Sequence, residues 1–530
     1  MNIQKLYLKP NVVVEPLINQ WYAWSHIISP ATAARNITGR HIPIMESYIQ
    51  TPDIHAAAVQ NPKMLGGPFI DYQGKHVDEI RDLLEKTKLS QANMLVLSDA
   101  IQKLDEMLRA EARGFSLEPL YARIPEVLRG FVELVYDLNN NPSFRIIEPL
   151  LYQSTYYDRS MQSIVLHLTH SDDRPFILST PRLESASGLQ IDLPFEHQGV
   201  DELFKMKQVP QTFDYITNIL GIEEKNCDLF SSFFTDEQPQ QYKRYDGNGL
   251  RWRYFGHACI LVETSDVSIL LDPVLSYTYE SDISRYTYED LPDVIDYVMI
   301  THNHIDHILF ETILQLRHKI KHVIVPRNGS GNLQDPSLKL LLQNIGFTNV
   351  IELDEMEQIP IQNGLIMGLP FLGEHADLNI RTKTAYFVRI GKHSLVFAAD
   401  SCNIEPHLYY HLHEIVGDVD VLFLGMECDG APLTWLYGPL MTQSVERKMD
   451  QSRRLAGSNY ERGIDIVNTF NCKEVYVYAM GQEPWLNYVM SIKYSEQSNP
   501  IVASNKLIKD CQQRNLTAER LFGEKEILMP

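Results

Sequence analysis

The chain has 530 residues, 44% of them hydrophobic and 22% charged, and a formal net charge of −21. That length calls for two or more domains. The acidity argues against a nucleic-acid partner, which needs a basic face, and no apolar run reaches the ~20 residues of a membrane span.

The opening "MNIQKLYLKPNVVVEPL" has no sustained apolar core and no small-residue cleavage site, so no secretory signal is expected and the expected compartment is cytoplasmic. Six cysteines, Cys227, Cys259, Cys402, Cys428, Cys472 and Cys511, form no C-x-x-C pair and are expected to be free thiols. Residues 1–230 are read as one mixed α+β unit. Helical periods ("HVDEIRDLLEKTKL", "NMLVLSDAIQKLDEMLRAEA", "LPFEHQGVDELFKMK") alternate there with strand-like runs ("SIVLHLTH", "PFILST"). His167, His170 and Asp172 are ligand types, but they read more simply as a half-buried strand running into a polar turn. "SSFFTDEQPQQYKRYDGNG", residues 231–249, is polar and without period; it is the predicted linker.

From 250 to 530 the texture changes. "LRWRYFGHACILVETSDVSILLDPVL" predicts two strands joined by a turn at Ser265-Asp266. "DYVMIT" predicts a strand, "LFETILQLRHKI" a helix, "HVIVP" a strand and "PSLKLLLQNIG" a helix stopped by glycine. "TAYFVRIGKHSLVFAADS" predicts a hairpin around Gly391, and "DVDVLFLGM" and "KEVYVYAMG" two further strands. The pattern is α/β with substantial antiparallel content.

"THNHIDH", residues 301–307, carries the chemistry: three histidines and an aspartate within six residues, where a strand ends. An extended backbone puts His302 and His304 on one side, and Asp306 and His307 follow at the turn, so one pair can serve one metal and the other pair a second. The bland reading is a polar helix cap with Asp306 at the N-cap; such a density of ligand types disfavours it. Further ligands must come from other strand ends. Glu374, His375 and Asp377 lie in "FLGEHADL". Asp400 ends the apolar run "LVFAAD", where a carboxylate is costly unless paired or metal-bound. Asp272 has the same look in a commonly structural "LDP", and His257 in "YFGHACI" is read as a core histidine or one supporting a ligand.

H-x-H-x-D-H resembles the signature of the metallo-β-lactamase fold, and "YFGHACILVE…ILLDP" resembles the first strands of its sugar-lactonase-like branch. The resemblance implies an αββα sandwich, preceded here by the mixed N-terminal domain, with a two-metal site at the strand ends. His302 and His304 match ligands of the first metal, Asp306 and His307 those of the second, and Asp400 the bridging aspartate. Zinc hydrolases of this fold supply another histidine before that aspartate. Here Glu374 stands 67 residues after His307 and 26 before Asp400. That substitution, with "GEHADLNIRTKTAYFV" and the large N-terminal domain, resembles the di-iron β-hydroxylases of nonribosomal peptide biosynthesis, the chloramphenicol-pathway aminoacyl β-hydroxylase among them, over essentially the whole chain.

The resemblance implies a di-iron monooxygenase that uses O2 and an external two-electron donor, hence an electron-transfer partner. It acts on Cβ of an amino acid held as a phosphopantetheine thioester on a nonribosomal peptide synthetase carrier domain. Glu374 and Asp400 are the residues whose replacement should abolish turnover. The N-terminal domain is expected to support dimerisation, giving a homodimer, or carrier docking. Independently of the family, three imidazoles and three carboxylates without thiolate suit iron or manganese better than zinc. Two points stay open. His375 in place of Glu374 would restore a zinc-hydrolase set, the alternative function, though the spacing favours Glu374. And no histidine follows His413, so a late ligand falls to Gln482 or Glu483 or is missing. Trp435, Tyr437, Glu427 and Asp429 are candidates for an amino-acid pocket. Arg447, Lys448, Arg453 and Arg454 are a candidate docking patch or, more simply, a solvated helix face. "PRNGSGN", from Pro326 to Asn332, lacks the lysine and spacing of a phosphate loop and is read as a turn.

Overall fold

A computed structural model describes residues 5–530. Two seven-stranded sheets dominate the C-terminal half. The first runs in the order Val350–Leu353, Ile320–Pro326, Ile295–Met299, Ser268–Leu271, Cys259–Glu263, Leu250–Gly256 and Lys525–Met529. The second runs Gln358–Ile361, Gly364–Leu369, Ala385–Ile390, His393–Phe397, Val421–Gly425, Glu474–Tyr478 and Thr517–Arg520. Each sheet is antiparallel on one side and parallel on the other. Parallel neighbours need crossover helices, which cover the outer faces.

The strands explain their own packing. Trp252, Ile260, Ile269, Val388, Phe397, Phe423 and Tyr476 point between the sheets and form the central core. Their alternates face outward. Leu261, Val298 and Val323 receive Phe310, Ile313 and Leu341 from helices Phe310–Leu316 and Leu338–Asn344. Val396, Leu422 and Val475 receive Leu412, Ile466 and Leu507 from helices Pro406–Val416, Tyr460–Thr469 and Asn499–Gln513. The result is an αββα sandwich.

Residues 250–275 form three strands, not the two expected. The unforeseen break lies at Gly256 and His257, both with positive φ (112° and 52°), which fold Leu250–Gly256 back onto Cys259–Glu263. A Cβ at Gly256 would meet the Trp485 ring at 2.9 Å. "PFILST" is a turn and not a strand: Ile177 and Leu178 are buried in a core shared by both halves of the chain. Their hydrophobicity serves that junction and no pleat.

The N-terminal half carries an antiparallel four-stranded sheet, Trp21–Tyr22, Val12–Ile18, Gln162–Leu168 and Gly188–Asp192. Helices Gln198–Lys205 and Phe213–Leu220 cover it through Leu203 and Ile216. Helices Pro30–Asn36 and Ala92–Glu111 build a separate core with the hairpin Val132–Tyr136/Pro142–Ile146. Within the stretch read as linker, Phe234–Thr235 pairs with Lys5–Leu8. Further on, the Tyr242 hydroxyl donates to Glu263, and Arg244 donates to the Ser265 carbonyl at 2.7 Å, so this stretch lies along the sandwich.

Trp21, Trp24 and Tyr48 of the N-terminal half share one core with Ile305, Leu309, Tyr437 and Trp485 of the sandwich. A buried charged set joins the same halves. Arg182 Nε lies 2.7 Å from Glu15, and Arg174 reaches Glu15 at 3.2 Å and Glu311 at 3.0 Å. Tyr22 and Tyr277 donate to Glu311 at 2.7 and 2.6 Å. No helix among the described residues is long and apolar enough to cross a membrane.

Candidate metal centre

The loop after Ile295–Met299 brings His302, His304, Asp306 and His307 to one end of the sandwich. Thr384 N–H donates to the Thr301 carbonyl at 2.7 Å and Asn303 N–H to the Thr382 carbonyl at 3.2 Å. These bonds tie this loop to the chain that follows Glu374. Asp400 arrives from the neighbouring sheet, just past His393–Phe397. His257, Asp272, Glu374 and Ala399 all have positive φ (52°, 36°, 66° and 47°). Non-glycine residues held there cost roughly 1–3 kcal/mol each and concentrate at functional sites.

Three overlapping sets of donor atoms come within 4.8 Å of one another: His302, His304 and Glu374; His302, His307 and Asp400; and His257, Asp306 and His307. All six residues singled out from the sequence belong to at least one set. His302 Nε2 stands 3.9 Å from Glu374 Oε2 and 3.7 Å from Asp400 Oδ2, and His304 Nδ1 is 2.7 Å from Glu374 Oε1. His307 Nε2 is 3.1 Å from Asp400 Oδ2 and 3.7 Å from Asp306 Oδ2.

His302 Nε2, Glu374 Oε2 and Asp400 Oδ1 are buried without a hydrogen-bond partner. Buried polar atoms are normally satisfied, and leaving them unpaired costs of order 1–3 kcal/mol apiece. Orphaned atoms that converge from imidazoles and carboxylates fit bound metal ions, and an oxygen-rich donor set without thiolate fits iron.

Most of the charge states agree; the exceptions are His304 and His307, where against burial Glu374 pushes His304 up and Asp400 with Asp272 pushes His307 well up. Burial opposes ionisation of Asp306, yet His307 and His257 hold it below the usual carboxylate range. Burial likewise opposes ionisation of Glu374, and His304 and His375 outweigh it. Burial also pushes His302 well down, reinforced by the other histidines. Deprotonated carboxylates and neutral imidazole are what a metal needs.

Neighbours fix the ring orientations. Asp272 is fully buried; it accepts from Thr301 N–H at 2.7 Å and from His307 Nδ1 at 2.8 Å. That places a proton on Nδ1 and leaves Nε2, which faces Asp400 at 3.1 Å, as the nitrogen available to a metal. His304 Nε2 is 3.0 Å from the Tyr437 hydroxyl, which leaves Nδ1 for Glu374 and the metal. His257 Nδ1 accepts from Gly481 N–H at 3.2 Å, so its Nε2 donates to Asp306 at 3.0 Å. His257 therefore orients Asp306, the supporting alternative raised from the sequence. His375 joins none of the three sets; its ring stacks on His304 at 4.6 Å beside the Glu374 carboxylate.

Neither candidate late ligand joins a set. Glu483 is 1% exposed and accepts from the Tyr254 hydroxyl. Ala479, at the end of Glu474–Tyr478, lines the site instead. His167, His170 and Asp172 are also outside every set, and Asp172 is paired with Arg285 at 3.1 Å.

A cavity of about 510 Å³ opens onto His304, Asp306, Glu374 and Asp400. Glu427, Asp429 and Trp435 line it, as does Arg454. Tyr437 does not and instead supports His304. The N-terminal half supplies Lys63, Leu65 and Gly66, and Trp435 Nε1 donates to the Gly66 carbonyl at 2.9 Å. Sequence reasoning missed this wall, because nothing in "KMLGG" reveals its distant partner. Of the basic candidates, Arg453 donates to Ala376 O and Arg454 to Gly430 O, whereas Arg447 and Lys448 are exposed.

Residues 7–239 match the family model described as "Diiron non-heme beta-hydroxylase N-terminal domain", and residues 268–431 match "Beta-lactamase superfamily domain". The 4-amino-L-phenylalanyl-[CmlP-peptidyl-carrier-protein] 3-hydroxylase of Streptomyces venezuelae is 39% identical over 523 residues, covering 97% of this chain and 98% of that protein. The crystal structure of CmlA, a diiron β-hydroxylase from Streptomyces venezuelae, superposes with a TM-score of 0.94 at 38% identity, covering 100% of both chains. A mutant of CmlA gives a TM-score of 0.91 at 38% identity, covering 99% of this chain and 100% of that chain.

Proposed function

The chain belongs to the di-iron non-haem β-hydroxylase family, and from that premise we propose that it hydroxylates Cβ of an amino acid carried as a thioester on a peptidyl carrier domain of a nonribosomal peptide synthetase. The observation that carries this reading is the oxygen-rich set of His302, His304, Asp306, His307, Glu374 and Asp400, converging with orphaned buried atoms on one cavity. His302, His304 and Glu374 would hold one iron and Asp306 and His307 the other, with Asp400, close to both His302 and His307, available to either.

Bound iron supplies the activation of dioxygen, with two electrons from an external donor. The protein's own residues do the rest. Asp272 holds a His307 proton on Nδ1, the Tyr437 hydroxyl orients His304 through Nε2, and His257 pins Asp306. Trp435 and the Leu65–Gly66 segment wall the cavity beside the metal ligands. The N-terminal unit, residues 1–230, is assigned to homodimer formation or carrier docking.

The test incubates the purified chain with reductant, labelled dioxygen and a panel of aminoacyl carrier domains, 4-amino-L-phenylalanyl among them. The expected result is gain of one labelled oxygen atom on the acyl group. Release of the free amino acid without oxygen incorporation would overturn the reading in favour of a hydrolase.

A further inference from the structure

We propose that Glu427 anchors the α-ammonium group of the aminoacyl substrate and so sets specificity for a free amine; this rests on the hydroxylase reading above. In an aminoacyl thioester the nitrogen sits on Cα, one carbon from the Cβ that reacts. Whatever holds the ammonium must therefore stand beside the metal ligands, inside the cavity, and carry negative charge.

Glu427 meets each condition. It follows strand Val421–Gly425, whose neighbour His393–Phe397 leads to Asp400. Gly425 N–H donates to the Ala399 carbonyl at 2.8 Å, and a Cβ on Gly425 would come within 2.4 Å of Asp400 Oδ1. Gly457 N–H donates to the Glu427 carbonyl at 2.8 Å, and a Cβ there would meet Asp400 O at 3.2 Å and Glu427 O at 3.6 Å. The two loops are thus packed backbone to backbone, with both acidic side chains lining one cavity.

The other acidic lining groups are spent, whereas the lining lysines Lys63 and Lys493 form no ion pair with Glu427 among the described residues. Asp306, Glu374 and Asp400 face the metal positions. Asp429 is exposed and accepts from Asn499 at 3.2 Å. Arg454 gives its donors to Gly430 O, Asp429 O and Gln451, and among the described residues it forms no ion pair with Glu427. Glu427 accepts only neutral donors, the Asp429 N–H at 3.3 Å and the Tyr494 hydroxyl. Tyr494 is a positioning residue: it aims the carboxylate. Burial, with Asp400 beside it, pushes the Glu427 carboxyl up to about 8, and an arriving ammonium favours its ionised form.

The experiment compares kcat/KM of the iron-loaded enzyme for two carriers that differ only in the α-amine. The pair is 4-amino-L-phenylalanyl and 3-(4-aminophenyl)propanoyl, or the matching pair for whichever aminoacyl carrier turns over fastest. Wild type is expected to favour the amine by about 100-fold, mostly through KM, because the analogue leaves the half-buried Glu427 carboxylate without its charged partner. In Glu427→Gln, at unchanged iron content, the preference is expected to fall below about fivefold, with Glu427→Asp intermediate. A Glu427→Gln enzyme that discriminates like wild type overturns the assignment. Should that variant lose iron or fold, the wild-type ratio decides: less than about threefold overturns the assignment. Tyr494→Phe should lower the ratio about three- to tenfold. If wild type hydroxylates neither carrier of any pair, the hydroxylase reading fails first; if it hydroxylates both equally, only Glu427 does.

Discussion

Two buried polar clusters, both at the junction of the N-terminal half and the sandwich, make opposite use of charge. Around Glu15 and Glu311, two arginines and two tyrosine hydroxyls close every contact. Around His302, Glu374 and Asp400, imidazoles and carboxylates converge and leave atoms unpaired. Both clusters are almost fully buried, so burial does not separate them; electrical and hydrogen-bond closure does. A closed cluster holds two parts of the chain together. An open one, built on strained backbone, has the donors that a cation would complete.

The comparison breaks most visibly at the open cluster. Asp400→Ala or Glu374→Ala should lower iron retention and turnover by more than about 100-fold, beyond the effect of losing a supporting partner; metal analysis and single-turnover assays check this. Full activity in Glu374→Ala would remove that residue from the centre. At the closed cluster, Arg182→Met should leave Glu15 only its contact to Arg174 at 3.2 Å and destabilise the fold by about 1–3 kcal/mol in denaturant titrations, with iron per folded chain unchanged.

The closed cluster also carries a pH signature. Burial opposes ionisation of Glu15, but Arg182 and Arg174 hold its carboxyl well below the ordinary range. A depressed folded-state pKa gives stability that is full above the unfolded value of about 4.3 and is lost as pH falls below it. The unfolding free energy of Glu15→Gln, measured in denaturant titrations, should therefore fall less steeply than wild type's as pH drops from about 4 toward 2.

Smaller effects sharpen the picture at the supports. Asp272→Asn replaces one of two accepting oxygens by an NH2 donor, so it cannot accept from both Thr301 N–H and His307 Nδ1, and it should weaken iron binding about 10–100-fold with the sheets intact. Tyr437→Phe removes one hydroxyl beside His304 and should cost about 1 kcal/mol of iron affinity. Chelator competition measures both.

How far the sequence could be read follows the same division. The metal loop is contiguous and chemically dense, so "THNHIDH" was legible on sight. Asp400 was legible because an acid closing "LVFAAD" contradicts its surroundings, and Glu374 only through spacing and resemblance. The supporting residues were harder. Asp272 and His257 stood out as odd polar residues at strand ends, but their partners lie 35 and 49 positions away. Tyr437 suggested a substrate pocket because aromatic loop residues often line one, whereas its hydroxyl serves His304. Glu483 sat at the right place in the chain for a ligand, yet its carboxylate is held by Tyr254. The α/β character was legible from strands alternating with helices and hairpins, apart from the extra break at Gly256-His257, and the αββα sandwich only through the resemblance. The cavity wall at Gly66 and the Glu15–Arg174–Glu311 set were not, because neither contact leaves a local period or motif.

The most direct test of the central claim is the metal content and optical spectrum of the chain purified from cells grown with both iron and zinc. About two irons per chain with ferric–carboxylate or oxo-bridge absorption is the predicted result. Two zincs, no colour and no oxygen-dependent activity after iron reconstitution would contradict it.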